Sequence, residues 1–311
     1  MTAPNTLDQP VTHAQPPHLD TRLTAVLAIA CVCAGIAPLA ARWIADDTAR
    51  IACGVLIAAA FLAFTVFAKT HASLHQFWEL AFAFFVLAVV QVLNNSIPGY
   101  VGTVILRDPP NGANPFASTI SGTVVIQLVG TLIAVVPVVV LTYVSRGNLG
   151  SIYARTGAIG RWLALAIVFF VVIYVFTATI PLRPESPVQR LFPTPGVVTL
   201  DRFLALAPAL LVVALSNGFE EEFLFRGLFL HKYNWFFDAR VANVVQALVF
   251  STAHAGVTYT PSALLFILVL VFPLGLAFGY LMRATNGVLV PAVVHGALDM
   301  PIYVGFLFAA S

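Results

Sequence analysis

The sequence predicts an all-α protein, a polytopic bundle of eight to nine transmembrane helices whose last members are kinked or re-entrant. The 311 residues are 60% hydrophobic and only 9% charged, with a mean hydropathy of +0.94. A soluble domain carries about 25% charged residues, so this chain has too little polar surface to cover a water-facing globule. Apolar runs as long as a bilayer crossing also recur along the chain. These observations together favour a helical membrane protein.

Nine apolar runs lie close to the ~20 residues that one crossing requires. They are 23–41, 51–68, 77–93, 119–144, 161–181, 203–230, 241–256, 262–282 and 287–309. The seventh run is short, and Pro291 and Pro301 interrupt the ninth, so either run can form a re-entrant or kinked segment. We therefore expect eight or nine crossings.

The chain divides into three predicted parts. Residues 1–21 are polar and rich in Pro and Thr, and they lack the basic start and apolar stretch of a secretory signal peptide. We expect them to form a disordered tail. Residues 22–199 are predicted to form N-terminal transmembrane helices. The Pro-rich loop 183–196 is the predicted boundary before a C-terminal membrane domain, residues 200–311.

The distribution of basic residues indicates partners and orientation. No basic run is present, which excludes nucleic acid as a predicted partner and leaves the lipid bilayer. With nine crossings, nine Lys and Arg residues fall on the side of the N-terminus, or eight if Arg226 is set aside as intramembrane, and six fall on the other side. The positive-inside rule then favours a cytoplasmic N-terminus. We expect a multi-pass protein of the cell membrane.

The three cysteines, Cys31, Cys33 and Cys53, all lie within apolar runs. None of them is part of a C-x-x-C spacing, which a metal site or redox motif would favour. They are predicted to be small buried hydrophobic residues.

Ionisable residues interrupt the apolar runs of the C-terminal part, most densely in "SNGFEEEFLFRG", residues 216–227. A charged side chain at the centre of a crossing costs about 2.5–3.5 kcal/mol on insertion scales. Such residues are therefore functional candidates whose partners must be found. The candidates are Glu220, Glu221, Glu222, Arg226, His254, His295 and Asp299.

The spacing of the three glutamates predicts different roles for them. Glu222 and Arg226 are four residues apart, so they share one helix face and are predicted to form a structural pair. Glu221 lies about 100° around the helix from Glu222 and is left without that partner. An unpaired carboxylate is the better candidate for a general base. Glu220 is predicted to be an additional carboxylate, either in the wall of an active site or along a pathway that leads to it.

Distance along the helices places three candidates at one depth in the membrane. Glu221 lies 11 residues before Lys232, His254 lies 14 residues after Arg240, and His295 lies 12 residues after Arg283. At about 1.5 Å per residue, all three lie roughly 16–21 Å from the same membrane face. Asp299 follows His295 by four residues and shares its helix face. The spacing therefore predicts that these side chains form one site.

The same residues form a family signature. The motifs are Glu221-Glu222-Phe-Leu-Phe-Arg226, then Phe250-Ser-Thr-Ala-His254, then His295-Gly-Ala-Leu-Asp299, each on a separate predicted helix. In this order and spacing they resemble the CPBP family, also called the ABI family, of intramembrane proteases similar to the type II CAAX prenyl endopeptidases. The resemblance covers about residues 200–311, which it implies to be the catalytic membrane domain.

The resemblance implies an intramembrane, glutamate-dependent endopeptidase with a membrane-anchored protein or peptide as substrate. By this analogy, Glu221 and His254 activate a water molecule, while His295 and the residue at position 299 line the oxyanion side. We expect no cofactor. An ionised Asp299 cannot donate a hydrogen bond to an oxyanion, so it is expected either to orient His295 or to hold a proton.

Three alternative functions remain open at the level of sequence. Glu221, His254 and His295 are also suitable zinc ligands with one position left for water, although the H-E-x-x-H motif is absent. Intramembrane carboxylates and histidines also form proton relays in transporters, but no repeat of two halves is visible here. Finally, the family that the chain resembles also includes non-catalytic immunity or scaffold proteins.

Overall fold

The computed structural model describes residues 20–110, 114–144, 148–155, 157–179, 199–254 and 261–310. The predicted tail and the predicted boundary loop 183–196 lie almost entirely outside these residues. The described residues are helical and include no β-strand, which confirms the predicted all-α class. The α-helices, in chain order, are α1 Thr21–Ala40, α2 Asp47–Thr70, α3 Trp78–Asn94, α4 Ile97–Tyr100, α5 Ile120–Val144, α6 Gly160–Thr179, α7 Leu200–Glu221, α8 Leu230–Phe236, α9 Ala239–Ala253, α10 Pro261–Phe266, α11 Phe272–Thr285 and α12 Leu289–Ala309.

Seven helical stretches in the described part of the chain are long and apolar enough to cross a membrane, close to the predicted number. They are Thr21–Trp43, Asp47–Thr70, His75–Ile105, Ile120–Val144, Leu200–Phe236, Leu264–Thr285 and Leu289–Phe308. The remaining predicted runs, 161–181 and 241–256, correspond to α6 and α9. The protein is therefore an integral membrane protein.

Polar caps at the ends of the apolar runs fix where several helices begin. Asp20 accepts a hydrogen bond from the Leu23 N–H at 2.8 Å, and Asp46 accepts one from the Ala49 N–H at 2.7 Å. Such caps satisfy N–H groups that have no partner within the helix. Asp238 caps α9 in the same way, and the N–H groups of Val241 and Arg240 hold its pKa below the ordinary value.

Three of the helical stretches contain a π-helical segment, at which the backbone widens by one residue. These segments are Val101–Ile105 after α4, Glu222–Gly227 after α7, and Ile267–Val271 between α10 and α11. π segments are a common cause of helix kinks and often lie at functional sites. The final helix, α12, continues as a single element through Pro301.

The outer surface of the bundle is apolar. Leu56, Val144 and Leu268 are among the large hydrophobic side chains on that surface, each exposed by 66% or more. An apolar surface of this extent is expected where a protein contacts lipid. Cys31 is buried as predicted, but Cys33 is exposed, so the prediction of burial is wrong for Cys33 because its side of α1 faces outward.

The N-terminal helices pack directly against the helices that carry the candidate residues. Helix α7 packs against α12 and α5, and α1 packs against α9. One apolar core extends from Leu39 on α1 to Phe250 on α9, and a second joins Phe203 on α7 to Phe308 on α12. The division of the chain into two parts at residue 199 stays a prediction. Helices from before and after this residue pack against each other around the candidate residues.

Candidate active site

Glu221 lies at the last position of α7, where the backbone passes into the π-helical segment Glu222–Gly227. The wider turn of this segment alters the angular spacing of the side chains that follow. All six residues of the segment are buried. The three glutamates occupy successive positions around the helix and point to different neighbours, so each has its own set of contacts.

Glu221 contacts both candidate histidines. Its Oε2 atom is 3.5 Å from Nε2 of His254 and 3.5 Å from Nε2 of His295. The same oxygen is buried and accepts no hydrogen bond within the described part of the chain. The structure therefore brings three helices, α7, α9 and α12, to one carboxylate oxygen.

His254 follows directly after α9 and is partly buried. Its Nδ1 atom is 3.0 Å from the carbonyl oxygen of Phe250. A carbonyl can only accept, so Nδ1 carries the hydrogen and Nε2 of the neutral ring is an acceptor directed at Glu221. The Phe250 ring lies against the imidazole, with centroids 4.6 Å apart, and restricts its position further.

His295 is held on several sides within α12. Its Nδ1 atom is 2.9 Å from Oε1 of Glu222, which accepts the Nδ1 hydrogen. The Phe278 ring of α11 stacks on the imidazole, with centroids 4.6 Å apart and an interplanar angle of 15°. Because both contacts fix the plane of the ring, Nε2 is directed towards Glu221.

Glu222 and Arg226 form the contact that their spacing predicts. Arg226 Nη1 donates to Glu222 Oε1 at 2.9 Å, and both side chains are completely buried. The guanidinium also lies 3.8 Å from the centroid of Phe250 and donates to the Gly275 carbonyl at 3.4 Å. The pair is therefore packed between α9 and α11 rather than exposed to lipid.

Asp299 lies beside His295 without a hydrogen bond to it. The separation of Asp299 Oδ2 from His295 Nε2 is 3.8 Å, longer than a hydrogen bond. Asn217 Nδ2 donates to Asp299 Oδ2 at 2.9 Å and lies 3.4 Å from Glu221 Oε1. The expected orientation of His295 by Asp299 is therefore not seen, and Glu222 provides it instead.

Comparison with known proteins supports the resemblance drawn from the motifs. Residues 203–300 match the family described as Rce1-like, type II CAAX prenyl endopeptidase. We call residues 203–300 the Rce1-like segment, after the family that they resemble. By its description, the matched family consists of endopeptidases, which are hydrolases, that act on CAAX prenyl proteins. No curated protein and no solved structure matches the chain.

The Rce1-like segment contains Glu221, His254, His295 and Asp299, so every residue of the converging group falls within the match. The contacts of Glu220 lie elsewhere. Its Oε2 atom accepts hydrogen bonds from Gln127 at 3.1 Å and from Thr131 at 3.3 Å, both on α5. Glu220 thus joins the Rce1-like segment to the N-terminal helices and forms no hydrogen bond or ion pair with His254 or His295 among the described residues.

A polar cavity of about 370 Å³ begins beside this second set of contacts. Asn217 and Glu220 form part of its wall, together with Asn94, Gln127 and Arg42. Arg42 donates to the carbonyl of Ala253, the residue before His254, at 2.7 Å. Polar groups at membrane depth are tolerated where they line such a cavity. This wall consists largely of residues that precede the Rce1-like segment.

Sequence reasoning missed Asn217 and Phe278. Asn217 precedes Glu221 by four residues, so the helical spacing that identified Glu222 and Arg226 could also have identified this contact. Phe278 carries no such signal, because a phenylalanine in an apolar helix has the same pattern whether it packs against lipid or against an imidazole. Its position depends on how α11 is rotated against α12.

Proposed function

We propose that this protein is an intramembrane endopeptidase in which Glu221 activates a water molecule to hydrolyse a peptide bond of a membrane-associated protein. The observation that carries the proposal is the position of Glu221 Oε2, 3.5 Å from Nε2 of both His254 and His295. A carboxylate acting as general base must lie within reach of the proton that it removes. An ionised Glu221 and a neutral His254 are two acceptors directed at one place, and a water molecule supplies the two O–H donors that both can bind.

In the proposed reaction, Glu221 takes one proton from water while the water oxygen bonds to the peptide carbonyl carbon. The carbonyl electrons move to the oxygen and form an oxyanion. Glu221 then returns the proton to the peptide nitrogen, the C–N bond breaks, and a carboxylic acid and an amine are released. The carboxylate thus serves first as base and then as acid.

His295 is proposed to stabilise the oxyanion when its ring carries both hydrogens. Glu222 accepts the Nδ1 hydrogen, which leaves the Nε2 hydrogen free to point towards the developing charge. Donors fixed in advance are effective because they need no rearrangement during the reaction. The role proposed for Asp299 is to hold the Asn217 amide beside the carboxylate of Glu221.

The test compares two neighbouring glutamates. Glu221→Gln is nearly isosteric, and we expect it to fold normally while hydrolysis falls by at least ~100-fold. Glu220→Gln is the matched control, because Glu220 contacts α5 and not the histidines. Mass spectrometry of protein termini in membranes from cells expressing each form identifies cleaved substrates, and a peptide spanning such a site gives the rate with purified protein.

Several outcomes would contradict the proposal. Near-normal turnover by Glu221→Gln would remove Glu221 from the mechanism. Identical termini in cells with the wild-type protein and with Glu221→Gln would favour a transport, immunity or scaffold role instead. An equal loss in Glu220→Gln would indicate that general damage to α7, and not chemistry, explains the effect.

The zinc alternative uses the same side chains, Glu221, His254 and His295. Among the residues that the structure describes, no three His, Cys, Asp or Glu side chains form a group that could hold a metal ion. The proposed mechanism has no step that uses a metal. A chelator-treated sample, with its metal content measured, is expected to keep cleaving. Loss of activity that stoichiometric zinc restores would make these three residues ligands.

A further inference from the structure

A second cavity, of about 760 Å³, lies apart from the candidate active site. Its wall is formed by the connection between α2 and α3, the first residues of α3, and α8. None of the residues that surround Glu221 takes part in it. We call it the interfacial cavity, and its chemically distinctive lining residues are Ser73, Trp78, Glu79, Lys232, Asn234 and Trp235.

The interfacial cavity lies at the ends of helical stretches that are long enough to span the membrane. The connection before α3 joins two stretches that are long enough to span the membrane, and α8 completes a third, Leu200–Phe236. The walls of the cavity therefore stand at a membrane face, at the depth of the lipid headgroups. Two tryptophans in the wall agree with this depth, since Trp is enriched where apolar chains meet water.

The cavity wall contains two opposite charges, Glu79 and Lys232, that are not in direct contact. Lys232 interacts electrostatically with Glu79, yet the two form no ion pair among the described side chains. The two charges can therefore be matched by a ligand that carries both signs. A volume of several hundred cubic ångströms is typical of sites for small ligands and cofactors.

A buried hydrogen-bond acceptor without a partner indicates which chemical group such a ligand carries. Asn234 Oδ1 is buried and has no hydrogen-bond partner within the described part of the chain. Buried acceptors are normally satisfied, and Asn234 belongs to the same cavity wall as the carboxylate of Glu79. A group with several N–H donors, such as a primary ammonium, satisfies both acceptors. Tryptophan faces also attract cations, and Nζ of Lys69 already lies over the Trp78 ring, 4.6 Å from its centroid.

We propose that the interfacial cavity binds the headgroup of a zwitterionic phospholipid with a primary ammonium, of the phosphatidylethanolamine type. The phosphodiester lies at Lys232, and the ammonium lies between Glu79 and Asn234. The acyl chains continue along the apolar outer surface of α2, where Phe67 is 47% exposed. This site is independent of the proposed hydrolysis, and neither assignment requires the other.

The test measures binding to the full chain in detergent by competition with a fluorescent phosphatidylethanolamine. We expect dioleoyl phosphatidylethanolamine to compete about tenfold better than dioleoyl phosphatidylcholine, whose methylated ammonium has no N–H donor. Glu79→Gln is expected to weaken phosphatidylethanolamine about tenfold and to leave phosphatidylglycerol unchanged, because only the ammonium partner is lost. Lys232→Gln is expected to weaken both lipids.

Matched controls remove a charge outside the cavity, namely Asp201→Asn and Arg22→Gln, both at exposed positions. Thermal unfolding without added lipid checks that all variants fold. Equal affinity for the three lipids, or no effect of Glu79→Gln on phosphatidylethanolamine, would overturn the proposal. Competition by glycerophosphoethanolamine as strong as that of the lipid would show that the cavity takes a soluble phosphate ester instead.

Discussion

The Glu222 carboxylate joins two contacts, one within its own helical stretch and one with another helix. Its Oε1 atom accepts from Arg226 Nη1 at 2.9 Å and also contacts His295 Nδ1 at 2.9 Å. The spacing of four residues explains the first contact, whereas the second joins helices that are 73 positions apart in the chain. Glu222 therefore both neutralises a buried guanidinium and fixes the ring that faces Glu221.

Because of this double role, stability and activity should respond differently to loss of the pair. Glu222→Gln leaves the buried guanidinium without its carboxylate, and Arg226→Gln leaves Glu222 with His295 as its remaining partner. Breaking a buried ion pair in this way costs about 3–5 kcal/mol. The double variant removes both charges, so thermal unfolding should show that part of the stability returns. Cleavage should not return with it, because His295 still lacks its carboxylate. Additive losses of stability, or recovery of full activity in the double variant, would contradict this coupling.

His295 and Asp299 should also differ in their effects on cleavage. His295→Ala removes the proposed donor to the oxyanion, and removal of such a donor elsewhere costs about 2.7–4 kcal/mol. Asp299→Asn keeps a side chain that Asn217 can still bind, so we expect measurable activity with an altered pH profile. The measurement is the pH–rate profile of both variants on one peptide. If Asp299→Asn proved as inactive as His295→Ala at every pH, the Asp299 carboxylate itself would carry chemistry.

The convergence of Glu221, His254 and His295 was predictable because it depends on distance along helices. Each residue lies a similar number of residues from a charge at the same membrane face, and helical rise converts that number into depth. The contacts of Glu222 with His295 and of Asn217 with Asp299 depend also on the rotation of each helix about its axis. No local pattern in one sequence fixes that rotation between distant helices.

At the scale of elements, two glycines allow the helices that carry the site to approach closely. A Cβ at Gly218 of α7 would lie 2.5 Å from the Ala292 carbonyl oxygen and 2.6 Å from the Gly296 nitrogen, both on α12. A Cβ at Gly296 would lie 2.8 Å from the Ala214 carbonyl oxygen. Because the obstructing atoms belong to backbone, they cannot rotate away as a side chain can.

Gly218→Ala is therefore expected to separate α7 from α12. Overpacking typically costs about 1–3 kcal/mol, and a displacement near 1 Å between reacting groups can lower a rate about 100-fold. Thermal unfolding and peptide cleavage measure the two effects. The control is Gly99→Ala, since an added Cβ there meets nothing within 4 Å. Unchanged cleavage in Gly218→Ala would show that the separation of these helices does not limit catalysis.

The π-helical segment at Glu222–Gly227 was not predictable from the sequence. The residues from Glu222 to Gly227 have ordinary helical composition, and the apolar run around them predicts only that a helix is present. A backbone widened by one residue is stabilised by the packing that it permits, here the complete burial of Glu222 and Arg226. The apolar pattern of the sequence therefore predicts that a helix is present, while tertiary contacts determine its local geometry.

At the scale of the whole molecule, contacts between connections divide the bundle into two faces. On one face, the Val288 N–H bonds to the Tyr153 carbonyl, and Arg283 donates to the Ala239 carbonyl at 2.6 Å. On the other face, Arg202 donates to the Phe308 carbonyl at 3.1 Å. This division agrees with the alternation that nine crossings predict, since residues expected on one face contact each other.

The orientation of these faces remains a prediction, and the excess of Lys and Arg on the side of the N-terminus favours the cytoplasm for that side. Single cysteines test it after Cys31, Cys33 and Cys53 are replaced by alanine. Ala239→Cys lies on the predicted cytoplasmic face and Asp201→Cys on the opposite face, and both positions are exposed. A membrane-impermeant maleimide should label Asp201→Cys in intact cells and Ala239→Cys only in inverted vesicles. The reverse labelling pattern would place the N-terminus outside the cell. The membrane face from which Glu221, His254 and His295 lie at a similar depth would then be the outer face.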